Sequence, residues 1–138
     1  MQDLTEREVA AAAERLVAAF AATDTEAYFA CFAEHASFVF HTEPDRLDNR
    51  EDYRLLWKSW LAEGWRVLGC ASSNRRIQLA GAAAVFSHDV ATTIETGAGR
   101  EILNERETIV FARDADGEVL AVHEHLSPLP GPSDKALS

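Results

Sequence analysis

Apolar and polar positions alternate along the last third of the chain, through Asn104 to Ala112 (NERETIVFA) and Glu118 to Ser127 (EVLAVHEHLS), on either side of Asp114-Ala-Asp-Gly117. A period of two is that of a strand with one face on a core and the other on solvent, a cavity or a partner. The glycine-bearing step between them is a tight turn. Gly81 and Gly97 to Gly99 punctuate the chain in the same way, so four long strands are predicted, at 65–79, 83–96, 100–112 and 118–127. Joined by short turns, they make an antiparallel meander.

Before Trp65 the period is helical. Thr5 with Glu8 is a capping-box spacing, and Val9, Ala13, Leu16, Val17 and Phe20 then recur along one side, which predicts a helix over 6–22. Thr23 with Glu26 marks a second, shorter helix carrying Tyr28, Phe29 and Phe32, and a strand is predicted from Ser37 to Glu43. Asn49 with Asp52 opens a third helix, with Tyr53, Leu56, Trp57, Trp60 and Leu61 on one side and Gly64 at its stop. Helices first and a long sheet afterwards give an α+β domain with the helices on one sheet face. One domain over 1–128 is expected, and the proline-rich end, 129–138, reads as a flexible tail.

Composition narrows the function more than the fold. The 138 residues carry 23 acidic against 13 basic side chains, a formal charge of −10, so nucleic acid and anionic membrane surfaces are not expected as partners. No apolar run approaches the roughly 20 residues of a membrane span. Cys31 and Cys70 lack metal or redox spacing, and the start of the chain does not read as a secretory signal, so a cytoplasmic protein with reduced thiols is expected.

The strand period also sorts the chemistry. In the final strand Leu120, Val122, Glu124 and Leu126 form the more apolar set, and the other face carries His123, His125 and Ser127. The neighbouring strand turns Glu107 inward with Ile109 and Phe111 and leaves Arg106 and Thr108 outside. In strand 83–96 the choice stays open, because Asp89 shares parity with Val85, and His88 with Phe86 and Val90. A carboxylic acid in an aromatic cavity, or two carboxylates side by side, is raised toward neutrality and suits general acid–base work. Glu107 and Glu124 are the candidates, with Asp89 at the same polar end. Either one facing solvent or pairing with Arg106 or Arg113 is the plainer alternative, and a bulge in either strand would invert the assignment.

Tyr28, Phe40, Trp57 and Trp60 are candidate cavity lining or, equally, core, and His41 stands at the cavity mouth or on the surface. His123 and His125 would chelate a metal only with a third ligand such as His88. Without a diagnostic spacing they are expected to hydrogen-bond in a sheet-to-sheet interface, so no metal or cofactor is expected. No nucleophile motif and no phosphate-binding loop occurs.

Over about residues 5 to 128 the order of elements resembles the nuclear transport factor 2-like superfamily, above all its SnoaL-like branch and the association domain of calmodulin-dependent kinase II. The resemblance rests on Glu43-Pro44, the Arg106-x-Thr108 pair and the His123-x-His125-x-Ser127 ending. It implies a cystatin-like cone in which a curved antiparallel sheet wraps N-terminal helices around a cavity, and a small-molecule-binding domain. That superfamily holds isomerases, cyclases, hydrolases and assembly modules alike. Phe40 stands where ketosteroid isomerases carry their general base, and Asp89, Ile109 and Leu126 where the kinase domain carries pocket arginines, so neither specific activity is carried over. Two expectations follow: a cofactor-free isomerase- or cyclase-type enzyme acting on a small carbonyl compound, or a non-catalytic homodimer paired through its sheet around Arg106, Thr108, His123 and His125.

Overall fold

The computed structural model describes residues 2–130. The order is α1 (Glu6–Ala21), α2 (Thr25–Phe29), β1 (Phe32–Phe40), α3 (Arg50–Ala62), β2 (Arg66–Ala80), β3 (Ala83–Thr96), β4 (Gly99–Arg113) and β5 (Val119–Pro128). Both predicted caps that bound the long helices form: the Thr5 hydroxyl accepts from the Glu8 amide while Glu8 reaches back, and Asn49 accepts from the Asp52 amide. Each satisfies a backbone donor that the first helical turn leaves free.

The start of α2 differs from expectation. Asp24, not Thr23, is its cap. Thr23 takes a left-handed φ of 51° and its hydroxyl bridges the Val67 carbonyl at 2.8 Å and the Val67 amide at 2.9 Å, tying the α1–α2 corner to the first turn of β2. The strand that follows α2 begins at Phe32 rather than Ser37, because the aromatic run continues straight into extended backbone.

The four long strands form as predicted to within a residue or two, in a single sheet of order β1-β5-β4-β3-β2. β2 through β5 are the antiparallel meander, but β1 runs parallel to β5, so the sheet is mixed. The long connection through α3 and three strands gives β1 the crossover that parallel pairing requires. At the last hairpin Asp114 accepts from the amides of Asp116 and Glu118 through one carboxylate oxygen, and Gly117 supplies the φ of 86°. Leu129 donates to the Asn104 carbonyl at 3.1 Å, and residues 131–138 of the expected tail lie outside the described residues.

One face of the curved sheet carries the core. Ala84, Phe86, Ile109, Phe111 and Ala121 meet Val9, Ala13 and Leu16 of α1, all buried. Beside them an aromatic cluster links α2, β1 and α3: Tyr28 to Trp57 at 4.8 Å, Phe38 to Tyr53 at 4.6 Å and Phe29 to Tyr53 at 5.1 Å between ring centres. Such pairs add about 0.5–1.5 kcal/mol beyond area burial. Trp57, offered as cavity lining, is fully buried in this cluster, with its indole N–H donating to the Thr25 hydroxyl at 2.9 Å. It is core.

Candidate functional site

Where the helices leave the sheet uncovered, a cavity of about 380 Å³ opens between α1, α3 and the inner face of β2 to β5. Its apolar wall is Phe20, Tyr28, Phe40, Tyr53, Trp60 and Trp65, and its polar wall includes Cys70, His88, Thr92, Glu105, Glu107 and Glu124. Strand register explains the polar set. His88 pairs with Glu107 and Val90 with Glu105 across β3 and β4, and Glu124 pairs with Ile109, which makes it the diagonal neighbour of Glu107. All stand on the face that carries Phe86, Ile109 and Phe111 to the core.

Glu124 is the deepest of them, only 2 % exposed. Burial first, then the charge of Glu107 and a side-chain hydrogen bond with it, hold its carboxyl well above the ordinary carboxylate range. The same apolar surroundings, with the Glu124 charge second, push both Tyr28 and Tyr53 well above the usual phenol range; their hydroxyls bond each other at 2.9 Å. Glu105 is raised by burial, and the hydrogen bond and charge of His41 oppose that rise.

Two imidazoles hold two of these carboxylates. His88 Nε2 lies 2.6 Å from Glu107 Oε1, and His88 Nδ1 lies 2.6 Å from Ser72 Oγ. Arg75 Nε in turn donates to Ser72 Oγ at 2.9 Å. Having accepted from Arg75, Ser72 Oγ keeps one lone pair and its own hydrogen, so it can serve His88 Nδ1 as acceptor or donor while Nε2 faces Glu107. The result is a continuous chain from the surface guanidinium through Ser72, His88 and Glu107 to Glu124. At the rim, His41 Nε2 meets Glu105 Oε2 at 2.5 Å.

Against expectation, then, the outcomes separate by residue. Glu107, Glu124, Tyr28, Phe40 and Trp60 line the cavity, and His41 touches its edge through Glu105. Asp89 does not: it points to the opposite sheet face, where Asn74 donates to it at 3.3 Å, and His88 takes the inward place. β5 follows the predicted faces only from Glu124 onward. A bulge where the register slips between Val110 and Phe111 turns Ala121 inward and Leu120 outward. Glu105 and His88 are among the lining residues that the candidate set lacks, with Glu43, Tyr53, Trp65, Cys70, Thr92 and Glu101. Glu105 shares the parity of Glu107, Ile109 and Phe111, so its signal was present. His88 needed the parity of a strand whose two faces look alike in sequence.

The sequence model of the SnoaL-like domain matches residues 9–131. The chain belongs to the SnoaL-like domain family. No curated protein matches it. Among solved structures this SnoaL-like chain is similar to a ketosteroid isomerase-like protein from Erwinia carotovora atroseptica, at TM-score 0.79 and 14% identity, over 93% of this chain and 100% of that one. It is similar also to a nuclear transport factor 2-like superfamily protein from Salmonella enterica serovar Typhimurium, at TM-score 0.79 and 16% identity over 91% and 92% of the two chains. A putative calcium/calmodulin dependent protein kinase II association domain from Xanthomonas campestris matches at TM-score 0.75 and 22% identity over 93% and 90%. At these identities the likeness establishes the nuclear transport factor 2-like fold. The chemistry of this SnoaL-like domain rests on its own side chains.

Proposed function

We propose that this SnoaL-like domain binds a small carbonyl compound in its cavity and moves a proton on it without a cofactor, as an isomerase- or cyclase-type enzyme. The observation that carries the reading is a buried carboxylic acid, Glu124, beside a second carboxyl, Glu107, anchored by His88. Glu124 supplies its O–H to the carbonyl oxygen. Glu107 takes the α-proton through the oxygen that His88 leaves free, so the C–H electrons form the enol double bond as the oxygen receives the Glu124 proton. In a β,γ-unsaturated carbonyl compound that enol is a dienol, and return of the proton from Glu107 to its γ-carbon, with Glu124 reclaiming its own as the carbonyl re-forms, moves the double bond into conjugation and completes an isomerisation.

Charge favours the enol over a free enolate. Among the described residues no lysine or arginine lines the cavity, and Glu105 and Glu107 would repel a developing oxyanion. A donor acid removes that cost by neutralising the oxygen as it forms, a role worth about 10²–10⁴ in rate. The test is hydrogen exchange: cyclic ketones in deuterated buffer with the protein, with loss of the α-proton followed by NMR. Exchange above the buffer rate that falls in both Glu107→Gln and Glu124→Gln supports the reading. A ketone that binds the cavity yet exchanges no faster than in buffer refutes it.

A second reading, a non-catalytic binding or assembly module, is favoured by the outer sheet face. There Val39, Val85 and Val110 alternate with Thr108, His123 and His125, and Ser37 Oγ bonds His123 Nδ1 at 2.8 Å. This patterned face suits pairing with a second copy. Within the reading the protein is cytoplasmic: Cys31 and Cys70 are free thiols, as a reducing compartment keeps them, and no helix among the described residues is long and apolar enough to cross a membrane.

A further inference from the structure

The charge of the cavity is one-sided in a way the proton-transfer reading does not use. Glu43, Glu101, Glu105, Glu107 and Glu124 line it, and among the described residues the only basic side chain that lines it is His88. His88 and His41 are engaged with Glu107 and Glu105, whereas Glu43 and Glu101 have no ion-pair partner among the described residues. Both line the cavity where solvent reaches it, Glu101 exposed and Glu43 half-exposed.

Aromatic rings stand there too. Val67 pairs with Ile94 and Ile94 with Glu101, so the start of β2, which Trp65 immediately precedes, lies level with Glu101. Trp65 meets Trp60 at 5.1 Å between ring centres, and both are half-buried and line the cavity. Indole faces attract a cation, and carboxylates supply the acceptors its N–H groups need. Among the described residues no three His, Cys, Asp or Glu side chains converge to hold a metal ion.

We propose that the cavity selects a small apolar or aromatic ligand bearing one protonated amine, seated with its ammonium at the open end between Glu43, Glu101 and the Trp60–Trp65 pair. The inference rests on the cavity being the binding site and names the class of molecule it takes. A carboxylate or phosphate of the same shape is repelled, both at this end and by the net charge of −10 over the whole molecule. The carbonyl of a substrate would then face Glu124 at the closed end, with the amine fixing its direction of entry.

The experiment is calorimetric titration of the full chain at neutral pH with three probes of one shape: 2-phenylethylammonium, 2-phenylethanol and 3-phenylpropionate. The ammonium should bind at least about tenfold more tightly than the alcohol, and the carboxylate should not bind. Rising salt should shrink the preference, since the open end is reached by solvent. The double variant Glu43→Gln/Glu101→Gln should bring the preference down to about threefold or less, while Asp89→Asn, which removes a charge from the other sheet face, should preserve it. Equal binding of alcohol and ammonium removes this inference and leaves the carbonyl reading standing. A preference unchanged in the double variant also overturns it, as does the absence of binding by any probe, whereas the carbonyl reading stands or falls on the ketone exchange experiment.

Discussion

Replacing Glu124 with Gln should make the protein more stable at neutral pH, and by an amount that grows with pH. In the folded state burial and the neighbouring Glu107 hold the Glu124 carboxyl well above its ordinary range, whereas in the unfolded chain it titrates near 4.3. Below the unfolded value both states are protonated, and the group costs nothing. Above it the unfolded chain releases a proton that the folded chain retains, so folding loses about 1.4 kcal/mol per pH unit until the folded group ionises as well. Glutamine keeps the shape and one donor of the protonated acid but cannot ionise. Urea unfolding of both proteins at intervals from about pH 4 to pH 8 isolates this effect, because groups common to both cancel in the difference. The two should agree to within about 1 kcal/mol at the acid end and then diverge with that slope in favour of the variant. Parallel profiles would place Glu124 in a solvated position. A variant less stable at every pH would mean that the native carboxyl is ionised and held by a partner the present geometry does not contain.

Two further outcomes test the frame around the site. Trp57→Ala should cost about 3–5 kcal/mol by denaturant unfolding, because a fully buried indole packed on Tyr28, Phe29 and Trp65 leaves a cavity and orphans the Thr25 hydroxyl; near-unchanged stability would put that face of α3 elsewhere. If the outer sheet face pairs two copies, light scattering at micromolar concentration should give twice the chain mass, and Arg106→Glu with His125→Glu should halve it; a wild-type mass equal to that of a single chain removes the pairing.

How far the sequence predicted each element depended on how local its cause was. The caps at Thr5 and Asn49 and the DADG turn are made by side chains within four residues of the backbone they satisfy, so they could be read directly. Thr23 misled because its hydroxyl serves Val67, 44 residues away, and leaves the cap to Asp24. The parallel placing of β1 beside β5 likewise depends on partners at opposite ends of the chain, and no period within Ser37 to Glu43 carries it.

The site divides along the same line. Parity in β4 separates Glu107 and Ile109 from Arg106 and Thr108, because one set is otherwise apolar, and the structure keeps that separation. β3 defeats the method: Phe86, Val90 and Ile94 on one face differ little in sequence from Val85, Ala91 and Thr93 on the other, so Asp89 and His88 could not be told apart. What decides between them is register with β2 and β4. Facing inward, His88 meets Ser72 and Glu107 and every polar atom finds a partner, and facing outward, Asp89 keeps access to water and Asn74. The reverse would bury one more carboxylate among Glu105, Glu107 and Glu124 with no imidazole to hold Glu107, at a desolvation cost no nearby cation offsets. The placement of His88 is therefore a consequence of the acids around it, since only an inward imidazole reaches both Ser72 and Glu107.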